Sequence, residues 1–311
     1  MAPSVPGTGR ETVSPVAAPS TDDVTIAADA AALAKRLEPL HSMIYFVPEI
    51  GEELKELGVR PRDQYFAQRS APMGAVGPGL VAATFFNFNP ALIARSVPSV
   101  WASASPGDVV NARLRAADGA LRRFLGDEVS SPAVRESAEL ARRACEGATP
   151  EDRPLYAGHA DLPWPDEPHL DLWHAVTLLR EHRGDAHLHA LVSAGLSGIE
   201  ALVTHVATGT GFTVAFAQQS RGWSPEQWAD AKAALAERGL MEGDALTADG
   251  EALRREIEDH TTRMSLGPWR RLGADGVARL TEISKPLSKA VLPAFAVEGV
   301  FAKKSPRHQQ G

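Results

Sequence analysis

Apolar residues three or four apart, in segments cut short by proline and glycine, recur along most of this chain. Strand-like alternation hardly appears. In TIAADAAALAKRLEPLHSMIYFVP, the residues Leu33, Leu37, Leu40, Ile44 and Val47 keep helical spacing from about Thr25. Pro48 stops that helix, because the residue before a proline is pushed out of the helical region. The same proline opens a second helix, where its missing N–H is not needed, and Gly58 stands where a C-terminal cap is expected. DQYFAQRS reads as a short helix ending at Ala71-Pro72. GLVAATFFNF reads as another, broken by Asn87, Asn89 and Pro90, and the next is helical up to Val97. Longer amphipathic helices open at Ser105-Pro106-Gly107-Asp108 and near Pro132. Residues 151–169 hold four prolines and no periodicity, so they read as a linker or long loop. Three helices follow, with breaks at Arg183-Gly184-Asp185 and at 195–198.

With 311 residues, 44% of them hydrophobic, the chain can fill two ordinary domains. A single cysteine, Cys145, excludes an intrachain disulfide, and its helical context suits a small buried residue. The first 24 residues are rich in Pro, Ser, Thr and Gly and read as a disordered tail rather than a signal peptide. No stretch approaches the ~20 apolar residues of a membrane span. The expectation is a cytoplasmic protein with no membrane partner. The formal charge of −7 counts against a dedicated nucleic-acid binder, whose affinity rests on cations set against phosphates.

Residues 224–264 are the most legible part. Ser224, Pro225 and Gln227 have capping-box spacing, the helix they open ends at Gly239, and a turn with a short β-arm follows. Thr247 then caps a further helix. This order of helix, hairpin and helix resembles the recognition helix, wing and following helix of MarR-type winged-helix proteins. In that comparison, residues 224–238 would enter the major groove. Their first turns carry Glu226 and Asp230, and the wing, Glu242-Gly243-Asp244, has no Lys or Arg to offer phosphates.

From about residue 30 to 290 the chain also resembles an actinobacterial family that carries a helix-turn-helix label. The segments that carry the likeness are YFAQRSAPMG, ATFFNFNP, LWHAVTLLREHRGDAH, RGWSPEQW and LTADGEALRREIE. Members commonly continue with an acid-Thr-Asp ending, where this chain has Glu258-Asp259-His260-Thr261-Thr262. The resemblance implies a fold and no particular reaction. The fold class expected is mostly α: a helical N-terminal domain over 25–150 and a winged-helix-like domain with a short β-hairpin over 170–295. A flexible tail over 296–311 completes the partition.

Three constellations could carry chemistry. In Arg180-Glu181-His182-Arg183-Gly184-Asp185-Ala186-His187-Leu188-His189, seven of ten residues are ionisable, and the run lies between apolar helices. His182, with Glu181 or Asp185, could serve as an acid/base catalyst. Alternatively, the run is a salt-bridged junction in which Asp185 caps the next helix. His187 and His189 are two apart and point to different sides of a helix, so no metal site is expected. The second constellation is Tyr65 with Arg69, where the guanidinium could capture an anion and Phe85, Phe86 and Phe88 could wall a pocket. There, Arg69 could equally pair with a core carboxylate such as Glu49. The third is His41 and Tyr45, one turn apart on one face. No phosphate loop or nucleophile elbow is present, and nothing specifies a cofactor.

The leading expectation is a small-molecule-binding protein, compatible with an enzyme of specialised metabolism. Its pocket would lie between the two halves and use Arg69, Tyr65, His41, Tyr45, Phe86 and Arg180. The rival is a MarR-like, ligand-responsive DNA-binding regulator, which would act as a homodimer.

Overall fold

The computed structural model describes residues 21–302, with side chains from Ile26 onward. Most of the tail expected over 1–24 therefore lies outside the described residues, as does that expected over 296–311 from residue 303 on. The described residues form α-helices joined by short turns, with one two-stranded antiparallel sheet. In chain order the first helices are α1 (Thr21–Ser42), α2 (Pro48–Glu56), α3 (Gln64–Ser70), α4 (Pro78–Thr84), α5 (Pro90–Ala94), α6 (Pro106–Leu125), α7 (Pro132–Cys145) and α8 (Pro154–Ala160). Then come α9 (Pro168–Ser193), α10 (Gly198–Ala207), α11 (Val214–Arg221) and α12 (Pro225–Glu237). The hairpin β1 (Met241–Glu242) and β2 (Ala245–Leu246) precedes α13 (Ala248–Met264) and α14 (Gly267–Ala290), which breaks at Gly273. Among the described residues, no single helix is long and apolar enough to cross a membrane.

Local chemistry places most helix starts. First-turn prolines open α2, α6, α7 and α12. The side chains of Ser105, Ser131, Ser224 and Thr247 accept amides that would otherwise be unsatisfied. The Ser224–Gln227 capping box forms in full. Met241 pairs with Leu246 across the hairpin.

Several expectations change. The first helix ends at Ser42 and passes through a 3-10 turn, Met43–Tyr45, before Pro48. Residues 183–185 do not break the chain, because α9 runs unbroken for 26 residues. A mid-helix glycine costs about 1 kcal/mol relative to alanine. Packing against α1, α7, α8 and α13 buries most of α9 and outweighs that cost. The stretch 151–169 contains α8, which lies against α9. Asp185 Oδ2 accepts the Tyr156 N–H at 2.9 Å, so it caps α8 rather than a helix of its own.

Helices α1, α7, α9 and α14 pack together, with α6 and α2 alongside. Their core takes buried residues from Ala30 to Leu179 and again from Leu266 to Ala294. A second core, from Ala190 to Ile257, is built on Leu191, Leu202, Trp228 and Leu235. Helix α9 passes from one core into the other, and its ionisable stretch 180–189 is the crossing. The α4–α5 loop joins the two units. Trp223 Nε1 donates to the Asn87 carbonyl at 2.9 Å, and Asn89 Nδ2 donates to that of Gly222 at 3.0 Å.

Candidate functional site

Halfway along α9, Glu181 is only 1% exposed, and a carboxylate at that depth must be paired. From α3, Arg69 Nη2 donates to both of its oxygens, at 3.2 Å each. Arg180 Nη1 donates to Oε2 at 2.8 Å. Burial alone would raise the Glu181 carboxyl, but Arg180 and Arg69 outweigh it and keep the group ionised. The same contact holds Arg69 charged against its own burial.

His41, from α1, completes the cluster. Its Nδ1 lies 3.0 Å from the Thr177 hydroxyl and its Nε2 lies 2.8 Å from that of Tyr45. Thr177 donates its own proton to the Trp173 carbonyl at 2.8 Å, so it must accept from His41 Nδ1–H. Nε2 then carries the lone pair and accepts from Tyr45. Burial and then Arg180 hold this imidazole well below its usual range, in agreement with that tautomer. The 3.6 Å approach of Nε2 to Glu181 is therefore no ion pair. Arg69 also donates to the Tyr65 hydroxyl at 3.3 Å and sits over the Phe85 ring, 4.6 Å from its centroid.

A third guanidinium enters from α6. Arg113 is 3% exposed, stacks 4.8 Å from the Trp173 ring centroid, and has no partner for Nε or Nη2. Trp173 Nε1 and Arg69 Nε, both donors, are also unpartnered. His159 is buried as well, held well below its usual range by burial and then by Arg113. Sharing Tyr45 and Tyr65 with the cluster, but none of its charged groups, a cleft of about 400 Å³ is lined by these two residues with Phe46, Pro48, Gln64 and Gln68. It lies wholly within residues 45–68, not between the two halves as the sequence suggests.

Of the residues singled out from sequence, His41, Tyr45, Tyr65, Arg69, Arg180 and Glu181 come together. Arg69 pairs with Glu181 rather than Glu49, which is bound to Arg123 at 2.7 Å. His182 and Asp185 sit apart, beside α8. His182 packs edge-on against Tyr156, and burial, then Arg153, lowers it to about 3. Burial raises Asp185 to about 6. Phe86 packs on the smaller core, whereas Phe85 and Phe88 face Phe66, with Phe88 also beside Tyr65. Arg113, Trp173, Thr177 and His159 were not anticipated. Arg113 had a signal, since it falls on the same helical stripe as Val109, Ala116 and Ala117. Among the described residues, no group of three or more His, Cys, Asp or Glu is placed to hold a metal.

The outer face of α12 shows Glu226, Asp230 and Glu237. Lys232 is paired with Asp244, and Arg238 with Glu200 at 3.3 Å. The first turn of α12 abuts the α4–α5 loop, where Asn89 Nδ2 donates to Gln227 Oε1 at 3.4 Å.

A family model described as a helix-turn-helix family matches residues 30–298. No curated protein and no solved structure matches the chain. The matched span takes in both cores, the Glu181 cluster and the α12–hairpin–α13 segment, and the chain therefore belongs to this helix-turn-helix family.

Proposed function

We propose that the chain is a small-molecule-binding protein that takes a polar ligand into the cleft beside the Arg69–Glu181 cluster. The observation that carries this reading is the concentration of ionic groups behind Tyr45 and Tyr65, two residues that line the cleft. Arg69 and Arg180 pair with the buried carboxylate of Glu181, Arg180 also reaches Glu38, and the buried Arg113 adds a third guanidinium with no carboxylate partner among the described residues. Buried ion pairs are poor stabilisers compared with apolar packing, so such a concentration points to a binding role. Tyr45 donating to an oriented, neutral His41 adds a fixed polar pair beside the cleft, compatible with an enzyme of specialised metabolism. On this reading His41 and Tyr45 are positioning residues for the ligand, and His182 and Asp185 lie outside its site.

The test is native mass spectrometry of the intact chain after exposure to the small-molecule fraction of its own cells. The wild type is expected to carry an adduct that Gln68→Ala lowers severalfold. A wild type that carries none overturns the reading.

The family description, helix-turn-helix, is compatible with a second reading, a DNA-binding regulator; in its MarR-like form α12 and the hairpin would act as the DNA reader. Charge opposes it, since residues 224–264 hold ten acidic groups against five basic ones. A gel shift on the chain's own upstream DNA separates the two. The regulator requires retardation that weakens by roughly 10³-fold or more between about 50 and 200 mM salt. The small-molecule reading expects no retardation.

A further inference from the structure

Arg113 is the odd member of the cluster. Arg69 donates to both oxygens of Glu181 and Arg180 to one, but Arg113 has no carboxylate partner among the described residues. It is the most deeply buried of the three and presents two unpartnered donor nitrogens. Trp173, on which it stacks, leaves its indole N–H unpartnered too. The orphaned groups on Arg113, Trp173 and Arg69 are all donors. A buried cation with unmet donors lacks an acceptor that carries negative charge. Neither Arg113 nor Trp173 lines the cleft itself; Tyr45, which does, hydrogen-bonds Arg113 through its side chain and is the link between the two.

We infer that Arg113 is the anion receptor of the site, and that the ligand is a small acid whose terminal oxyanion, a carboxylate or a phosphate ester, docks on Arg113 and the Trp173 N–H. Its body lies along the Tyr45 and Tyr65 rings. This rests on the cleft reading above. Arg69 then serves mainly to hold Glu181 and the tyrosines in place, since the protein itself already neutralises it. A fork-shaped guanidinium suits a two-oxygen acceptor better than an ammonium does.

The experiment measures the melting temperature of the full chain with sodium benzoate, phenyl phosphate and sodium acetate, against sodium chloride at equal ionic strength. The wild type is expected to gain several degrees from benzoate or phenyl phosphate over chloride, less from acetate, and whichever of the first two acts more strongly names the oxyanion. Arg113→Met is expected to raise the melting temperature of the free protein, because it removes an uncompensated buried charge, and to abolish the anion-specific gain. Arg113→Lys is expected to keep the charge and weaken binding by tenfold or more. An anion-specific gain that survives in Arg113→Met overturns the receptor assignment while leaving the cleft reading intact. No gain in the wild type beyond that of chloride overturns the oxyanion class, and the native mass measurement then decides the cleft reading by itself. Should Arg113→Met fail to fold, the wild-type comparison and Arg113→Lys still decide.

Discussion

At Glu181 two guanidiniums, from α3 and from α9 itself, converge on one carboxylate far from water. Removing one partner of such a group leaves the others charged and unsatisfied. Glu181→Gln keeps the shape and removes the charge, so it is expected to cost about 3–5 kcal/mol of stability in urea denaturation. An unchanged urea midpoint would show that the cluster does not depend on this carboxylate. At this scale the sequence was partly legible. Tyr65, Arg69, His41, Tyr45, Arg180 and Glu181 stood out by type and spacing. The Arg69–Glu181 pairing did not, because the two residues are 112 positions apart. Arg113 was missed because an arginine on an amphipathic helix is usually solvated, although its place on the stripe of Val109, Ala116 and Ala117 marked it as facing inward.

Among the elements, helix starts were legible because caps and first-turn prolines act within four residues. The continuity of α9 was not. Gly184 argues locally for a break, and the burial of the helix between two cores overrules it. The start of α10 shows the same dependence on packing. Alanine normally improves on glycine at a helix position by about 0.8–1.0 kcal/mol. At Gly198, a methyl carbon would lie 2.0 Å from the Phe86 carbonyl oxygen. Gly198→Ala is therefore expected to destabilise by about 1–3 kcal/mol, the usual cost of overpacking. Faster hydrogen exchange at residues 86–92 would locate the damage at the α4–α5 loop. A gain in stability would show that the two units do not meet there as closely as described.

Across the whole molecule, the buried histidines set the acid limit. His174 is lowered to about 4 and His182 to about 3, in each case chiefly by burial, and His41 and His159 shift the same way. A histidine with a depressed folded pKa takes up a proton on unfolding, so its full contribution is present above its unfolded value near 6.5 and fades as pH falls below it. Each such residue costs about 1.4 kcal/mol per pH unit in that window. Asp185, raised to about 6, acts in the opposite sense. Its contribution is present below its unfolded value near 3.9 and is lost as pH rises through about 6. Between pH 6 and 4 it offsets one histidine and leaves a net loss. Stability by urea titration is expected to be level near pH 7 and to fall steeply below pH 6, with a shallower fall in His182→Phe. A flat profile from pH 7 to 4.5 would contradict the assignment of these imidazoles as neutral and buried.

The sequence by itself determined the helical class, most helix boundaries, the hairpin and the acidic character of α12, since each follows from interactions within a few residues or from charge alone. Tertiary structure decided which helices share a core, that α9 runs through both, and that Glu181 rather than Glu49 receives Arg69. These outcomes depend on how helices rotate and approach one another, which is fixed by the summed packing of distant segments and leaves no mark at any single position.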